Sequence, residues 1–145
     1  MIICMTGNAG DTGAAALASE NRELLLKKFS KAFLDDVQKC VEICDPPKDA
    51  IFVRIEEGGV YRALWRLGET LACGLEAVSA DIPVKQESIE VCEALDKNPY
   101  ELPSGGFVFV IPDGERPAKG KIIGRTRNDN DRIIILKNII RYINK

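Results

Sequence analysis

Apolar residues recur along this chain in two rhythms, and the switches between them outline its elements. A short apolar run, Ile2 to Met5, meets the glycine-punctuated stretch Gly7, Gly10 and Gly13 and then an alanine-rich segment. This reads as strand, glycine turn and helix start. The helix extends from about Gly13 to Phe29, with Ala14, Leu17, Ala18, Leu25 and Phe29 on one stripe. Ser30 then suits the N-cap of a second helix, where Phe33, Leu34, Val37, Cys40, Val41 and Cys44 keep helical spacing until Asp45-Pro46-Pro47 stops it. Ile51 to Ile55 reads as a strand, and Glu56-Glu57-Gly58-Gly59 leads into a third helix with Val60, Tyr61, Leu64, Leu67, Gly68, Leu71 and Ala72 on one face. Gly74 falls where a left-handed residue would close that helix.

Leu75 to Val78 is a short strand, and a fourth helix runs from about Lys85 to Leu95 with Ile89, Cys92 and Leu95 inward. It ends before Asn98-Pro99. Gly106 to Ile111 is a continuous apolar run, the pattern of a buried strand, and Pro112-Asp113-Gly114 turns the chain. Lys121 to Gly124, Arg132 to Leu136 and Ile139 to Ile143 follow, the last two placed to pair. Helices and strands interleave without strict alternation, which predicts an α+β fold, a mixed α/β sandwich. There is no internal repeat.

Composition narrows the function classes. At 145 residues and 46% hydrophobic, the chain is expected to form one domain, 1–145, around one core. A formal charge of −2 without a basic stripe argues against a nucleic-acid module. Histidine is absent, which removes the commonest general base and the commonest zinc ligand together. The five cysteines, Cys4, Cys40, Cys44, Cys73 and Cys92, form no CxxC pair, and most of them read as small core residues. No apolar run reaches the roughly 18 residues of a membrane helix, and no leader pattern is seen. A reduced, cytoplasmic setting is the expectation.

Three glycine-rich turns carry the candidate chemistry. Gly7, Gly10 and Gly13 place backbone N–H groups at a helix start, where an anion or partner could sit; the alternative is a plain tight turn, with Asp11 and Thr12 as caps. The run matches neither a Walker loop nor a dinucleotide fingerprint. Glu56-Glu57-Gly58-Gly59 puts two carboxylates at a helix N-terminus, which the helix dipole explains and a magnesium or substrate role would also use. Ser104-Gly105-Gly106 is the third turn. Asn128 to Asp131 lacks the glycine and terminal glutamate of a calcium loop and reads as a solvated turn. Trp65 interrupts its helix's apolar stripe and reads as a rim-of-core residue, with a partner contact as the alternative.

Taken in order, several of these segments resemble the C-terminal domain of the aminoimidazole ribonucleotide (AIR) synthase superfamily. They are Gly10 to Ala18, Glu57 to Trp65, Ile82 to Cys92, Asn98 to Leu102, Ser104 to Gly106, Pro112 to Gly114, Ile123 to Arg125 and Asn130 to Arg132. The branch is the one akin to the hydrogenase maturation factor HypE. The resemblance implies a two-domain ATP-using architecture whose N-terminal half carries the dimerising sheet and the acidic magnesium-ATP residues. The C-terminal half contributes glycine-rich turns to the nucleotide and substrate cleft.

The chain departs from that pattern at specific places. Arg54-Ile55-Glu56 stands where the family has an Asp, a small residue and Thr, and Arg127-Asn128-Asp129 replaces a Thr-acid-Gly. Arg116 to Gly120 is too short for the family's crossover helix, so that helix is expected to be missing. HypE ends in a reacting cysteine, whereas this sequence closes Tyr142-Ile143-Asn144-Lys145.

The expectation is therefore a C-terminal-type domain without the N-terminal ATP-binding domain, acting as a non-catalytic ligand- or partner-binding module. Its ligand contacts would be Gly7, Gly10, Asp11, Thr12, Gly13, Glu57, Gly58, Gly59, Ser104, Gly105 and Gly106, with no catalytic or metal-binding residue. No cofactor is expected on this chain alone, and magnesium-ATP only where a partner domain supplies the rest of the site. The expected partner is a separate N-terminal domain or a second copy, not nucleic acid or a membrane. The alternative is a subunit that completes an ATP-dependent HypE-like maturation or synthase enzyme.

Overall fold

The computed structural model describes residues 1–137 and 139–143; Asn138 and the closing Asn144-Lys145 lie outside the described residues. Seven strands form one mixed sheet: β1 (Ile2–Met5), β2 (Phe52–Arg54), β3 (Gly74–Val78), β4 (Phe107–Ile111), β5 (Lys121–Arg127), β6 (Arg132–Leu136) and β7 (Ile139–Tyr142). Their order across the sheet is β2-β4-β1-β5-β3-β6-β7, and among the described residues β3 and β6 are the only neighbours that pair in parallel. The mixed α/β fold matches the expectation.

One face of the sheet packs on α4 (Gly59–Leu71). Val60, Ala63, Leu64 and Leu67 are buried on that helix and join Ile3, Met5, Leu75, Val108, Val110 and Ile134 in the main core. The alternation along β1 and β4 that sends these side chains inward follows from the two-residue strand period. Helices α1 (Asp11–Glu20), α3 (Lys31–Lys39) and α5 (Gln86–Ala94) form a second, smaller core around Ala18, Leu25, Leu34, Val37 and Val91, with the single turn α2 (Arg22–Leu25) between the first two. Cys4 and Cys92 are fully buried core thiols, whereas Cys40, Cys44 and Cys73 are only half-buried and do not belong to the core.

β4 and β5 both pair antiparallel with β1, so the chain crosses from one side of β1 to the other through residues 112–120. No helix occupies that connection. It has only one four-residue strand to pass, from Ile111 opposite Ile2 to Lys121 opposite Met5, which a short loop can span.

Several element ends depart from the sequence reading. The first helix stops at Glu20: Asn21 leaves the helical region (φ −114°, ψ 26°), and its side-chain amide donates back to Leu17 C=O at 2.9 Å. α3 begins as expected, with Ser30 Oγ accepting from Phe33 N–H at 3.0 Å, but ends at Lys39. Beyond it Glu42 N–H donates to Asp11 and Cys44 N–H to Gly105, so tertiary bonds replace the continued helix, and Cys40 and Cys44 do not share a helix face. The left-handed residue after α4 is Ala72, not Gly74. Gly74 instead opens β3 where a Cβ would lie 2.4 Å from Asp131 C=O. In α5 the inward positions are Ser88, Val91 and Cys92, with Ile89 and Leu95 half-buried.

Candidate ligand-binding site

The first and third glycine turns meet at one end of the sheet, where β1 and β2 finish and β4 starts, and Ile55, just ahead of the second turn, joins them. Ser104 Oγ donates to Asn8 C=O at 2.7 Å and accepts from Gly106 N–H at 3.1 Å. Ile55 and the third turn exchange backbone bonds, Ile55 N–H to Gly106 C=O and Ser104 N–H to Ile55 C=O. The approach is too close for side chains. A Cβ on Gly106 would lie 1.9 Å from Thr6 C=O, and one on Gly59 2.3 Å from Tyr100 C=O.

Asp11 is the hub of this end. Its carboxylate accepts from the N–H groups of Thr12 (2.8 Å) and Gly105 (3.2 Å) through Oδ1 and of Glu42 (2.9 Å) through Oδ2. Gly13 N–H goes to Pro103 C=O at 3.1 Å. The first turn of α1 thus spends these donors inside the protein. Gly7 lies against Gly106, where a Cβ would meet the Gly106 Cα at 2.9 Å, and Gly10 lies against Pro99.

The N-terminus of α4 differs. Gly58 caps it in the left-handed region (φ 92°), Gly59 follows at φ 70°, and no side chain caps the helix. A cavity of about 350 Å³ opens beside it, lined by Gly58, Tyr61, Arg62, Glu101, Arg141 and Tyr142 among others. Arg62 folds back over the missing side chain of Gly58, whose Cβ would sit 3.0 Å from Arg62 Nε. Arg141 stacks on the Tyr61 ring at 5.3 Å and approaches Glu101 at 3.8 Å. Two guanidiniums and a helix N-terminus face one acid, an arrangement that favours an anion. Burial raises the Tyr61 phenol, so it stays protonated.

Of the residues singled out in the sequence, Gly7, Gly10, Asp11, Gly13, Ser104, Gly105 and Gly106 come together in the interlocked end, and Thr12 joins them through its N–H. Gly58 lines the cavity and Gly59 packs behind it. Glu57 is exposed, and its neighbour Glu56 pairs with Arg66 at 3.8 Å. Sequence reasoning missed Arg62 and Arg141. Arg62 had a signal, standing one helical turn after Gly58 and hence above the helix start. Arg141 had none, because only the pairing of β7 with β6 brings it over α4.

Elsewhere, among the described residues, no buried side-chain nitrogen or oxygen lacks a hydrogen-bond partner. Arg127 grips Asp129 and Glu76 in the 128–131 turn, and the Asp129 carboxyl is held below its usual range by that guanidinium. Among the described residues no cluster of cysteines or carboxylates could hold a metal. Burial and then the Glu87 carboxylate, 3.0 Å away, push the Cys40 thiol up to about 11, which leaves it a poor nucleophile. Trp65 is half-buried at the edge of the core, with the Arg132 guanidinium 5.2 Å from its ring centre. No described helix is long and apolar enough to cross a membrane.

No protein-family model and no curated protein matches this chain. Solved structures do match its fold. E. coli HypE, a hydrogenase maturation protein, superposes with a TM-score of 0.69 at 17% identity over 99% of this chain and 49% of that one. A structure of a HypE-HypF complex matches with a TM-score of 0.70 at 17% identity, covering 99% and 52%. Thiamine monophosphate kinase from Aquifex aeolicus matches with a TM-score of 0.61 at 20% identity, covering 95% and 51%. The chain spans about half the length of the structures it matches, and what it shares with them is the mixed α/β fold.

Proposed function

We propose that this chain is an AIR synthase-related module equivalent to the C-terminal half of such proteins, which binds a ligand or partner and does not catalyse alone. The observation that carries the reading is the cavity at the α4 N-terminus, where Arg62 and Arg141 flank left-handed Gly58. It suits the anionic group of a small ligand. Structures with the same fold have been solved with ATP, in HypE, and with AMPPCP and TMP, in thiamine monophosphate kinase, which supports a phosphate-bearing ligand. The end built from the first and third glycine turns would face a second domain, and magnesium-ATP would bind only where that domain supplies acidic residues.

Thermal shift against ATP, ADP, pyrophosphate and thiamine monophosphate tests this, because a ligand selective for the folded state raises its stability by mass action. At least one should raise the melting temperature, and Arg62→Gln with Arg141→Gln should abolish the rise. Magnesium-dependent ATP hydrolysis at enzyme-like rates by the purified chain would overturn the non-catalytic reading.

The half-length match favours a second reading, a subunit that completes an ATP-dependent maturation or synthase site with another polypeptide. Co-expression with a HypE-type N-terminal domain should then yield a complex that binds ATP. No association at micromolar concentration would count against it.

A further inference from the structure

Asp11 is 1% exposed, yet each of its carboxylate oxygens is engaged. The three donors belong to three segments distant in sequence: the α1 start (Thr12), the 104–106 turn (Gly105) and the extended strap 41–47 that leaves α3 (Glu42). Charge-assisted bonds of this kind are the stronger class, and removing their acceptor strands buried N–H groups. The strap has few other ties. Cys44 N–H donates to Gly105 C=O at 2.8 Å, and Asn8 Nδ2 reaches Glu42 Oε2 at 3.4 Å. Its Glu42, Ile43, Asp45 and Pro46 side chains are exposed, Ile43 at 73%, while the half-buried Cys44 thiol lies against Thr6 and Gly7.

We infer that the Asp11 carboxylate is the resident anion of the glycine-turn end, latching the strap 41–47 across Ser104-Gly105-Gly106. The donors that a glycine-rich helix start offers to an external anion are held here by the chain's own acid. The strap therefore opens as a unit, and only when the carboxylate lets go of Glu42. A Cβ on Gly105 would stand 2.2 Å from Glu42 C=O, so the closed strap also needs glycine beneath it. This latch is separate from the α4 cavity, and it stands or falls independently of the ligand proposed there.

Amide hydrogen exchange tests it in the unaltered chain and in two variants. In the unaltered chain the Glu42, Cys44 and Gly105 amides should exchange in one step below global unfolding; three unrelated rates would overturn the latch. In Asp11→Gly, Glu42 and Cys44 should exchange at least about ten-fold faster while Cys4 and Phe109 keep their protection. Formate should restore the slow exchange by taking the vacated place, and chloride at equal ionic strength should not. Unchanged strap protection, or equal recovery with chloride, would overturn the inference. Asp11→Asn, which keeps one acceptor, should loosen Glu42 or Gly105 without the other even if the glycine variant does not fold. Protection of both at the parent rate would again refute it.

Discussion

Helices α1 and α4 begin alike and end up in opposite states. Each follows a strand of the same sheet, each is preceded by a left-handed glycine (Gly10 at φ 66°, Gly58 at φ 92°), and neither has a side-chain cap. At α1 the chain supplies an acid at the first helical position, and Asp11 with Pro103 C=O takes up the nearby N–H groups. At α4 the first helical residue is Gly59, the acids Glu56 and Glu57 lie before the cap and stay exposed, and arginines gather instead. A glycine-punctuated helix start is thus no site in itself. What decides is whether the chain brings its own anion.

The comparison can be broken most sharply at the glycines. Gly106→Ala should cost about 3 kcal/mol or more, or prevent folding, since Thr6 C=O occupies the space a Cβ needs. Gly114→Ala, with no atom within 4 Å but φ at 84°, should cost only about 1 kcal/mol of backbone strain. Urea titration of both variants measures the difference. Next in size is the carboxylate: Asp11→Ala should lose about 2–4 kcal/mol by stranding buried donors, whereas Glu57→Ala should stay within about 0.5 kcal/mol. Equal costs would erase the contrast between the two helix starts.

The buried thiols Cys4 and Cys92 add a pH signature. Burial lifts the Cys92 thiol from 9.0 to about 11, so between those values the unfolded chain has released a proton that the folded chain retains. Stability from this group is complete below about pH 9 and is lost as pH rises through about 11, to the extent of about 3 kcal/mol. Denaturant midpoints taken across that range should fall, and fall less steeply in Cys92→Ala. The smallest effect is expected at Ser30→Ala, about 1 kcal/mol for losing the bond to Phe33 N–H, again read from denaturant melts.

What sequence revealed, and what it hid, follows the range of the interactions involved. The β4 run, the α4 stripe and the Ser30 cap are local patterns and stood where the residues placed them. The break at Asn21 turns on a side chain bonding four residues back, which a stripe of Leu25 and Phe29 masks. The early end of α3 comes from Asp11 and Gly105, partners 31 and 61 positions away from Glu42 and Cys44, and helical spacing carries no trace of them. The candidate site divides in the same way. Glycine turns are visible as composition, but that Asp11 would be spent internally, or that β7 would swing Arg141 above Tyr61, is long-range information.

The passage of residues 112–120 around β1 bears on how the molecule reaches this fold. β1 lies between β4 and β5, and the bond from Phe107 N–H to Thr6 Oγ1 at its end joins residues 101 positions apart. On a ribosome the β1 segment would emerge long before either neighbour, an apolar strand with both edges open. Closing so large a loop is slow, and an unpaired strand is open to wrong partners meanwhile. Sheet assembly around β1 should therefore be the slow phase of refolding, and the yield should fall steeply with protein concentration.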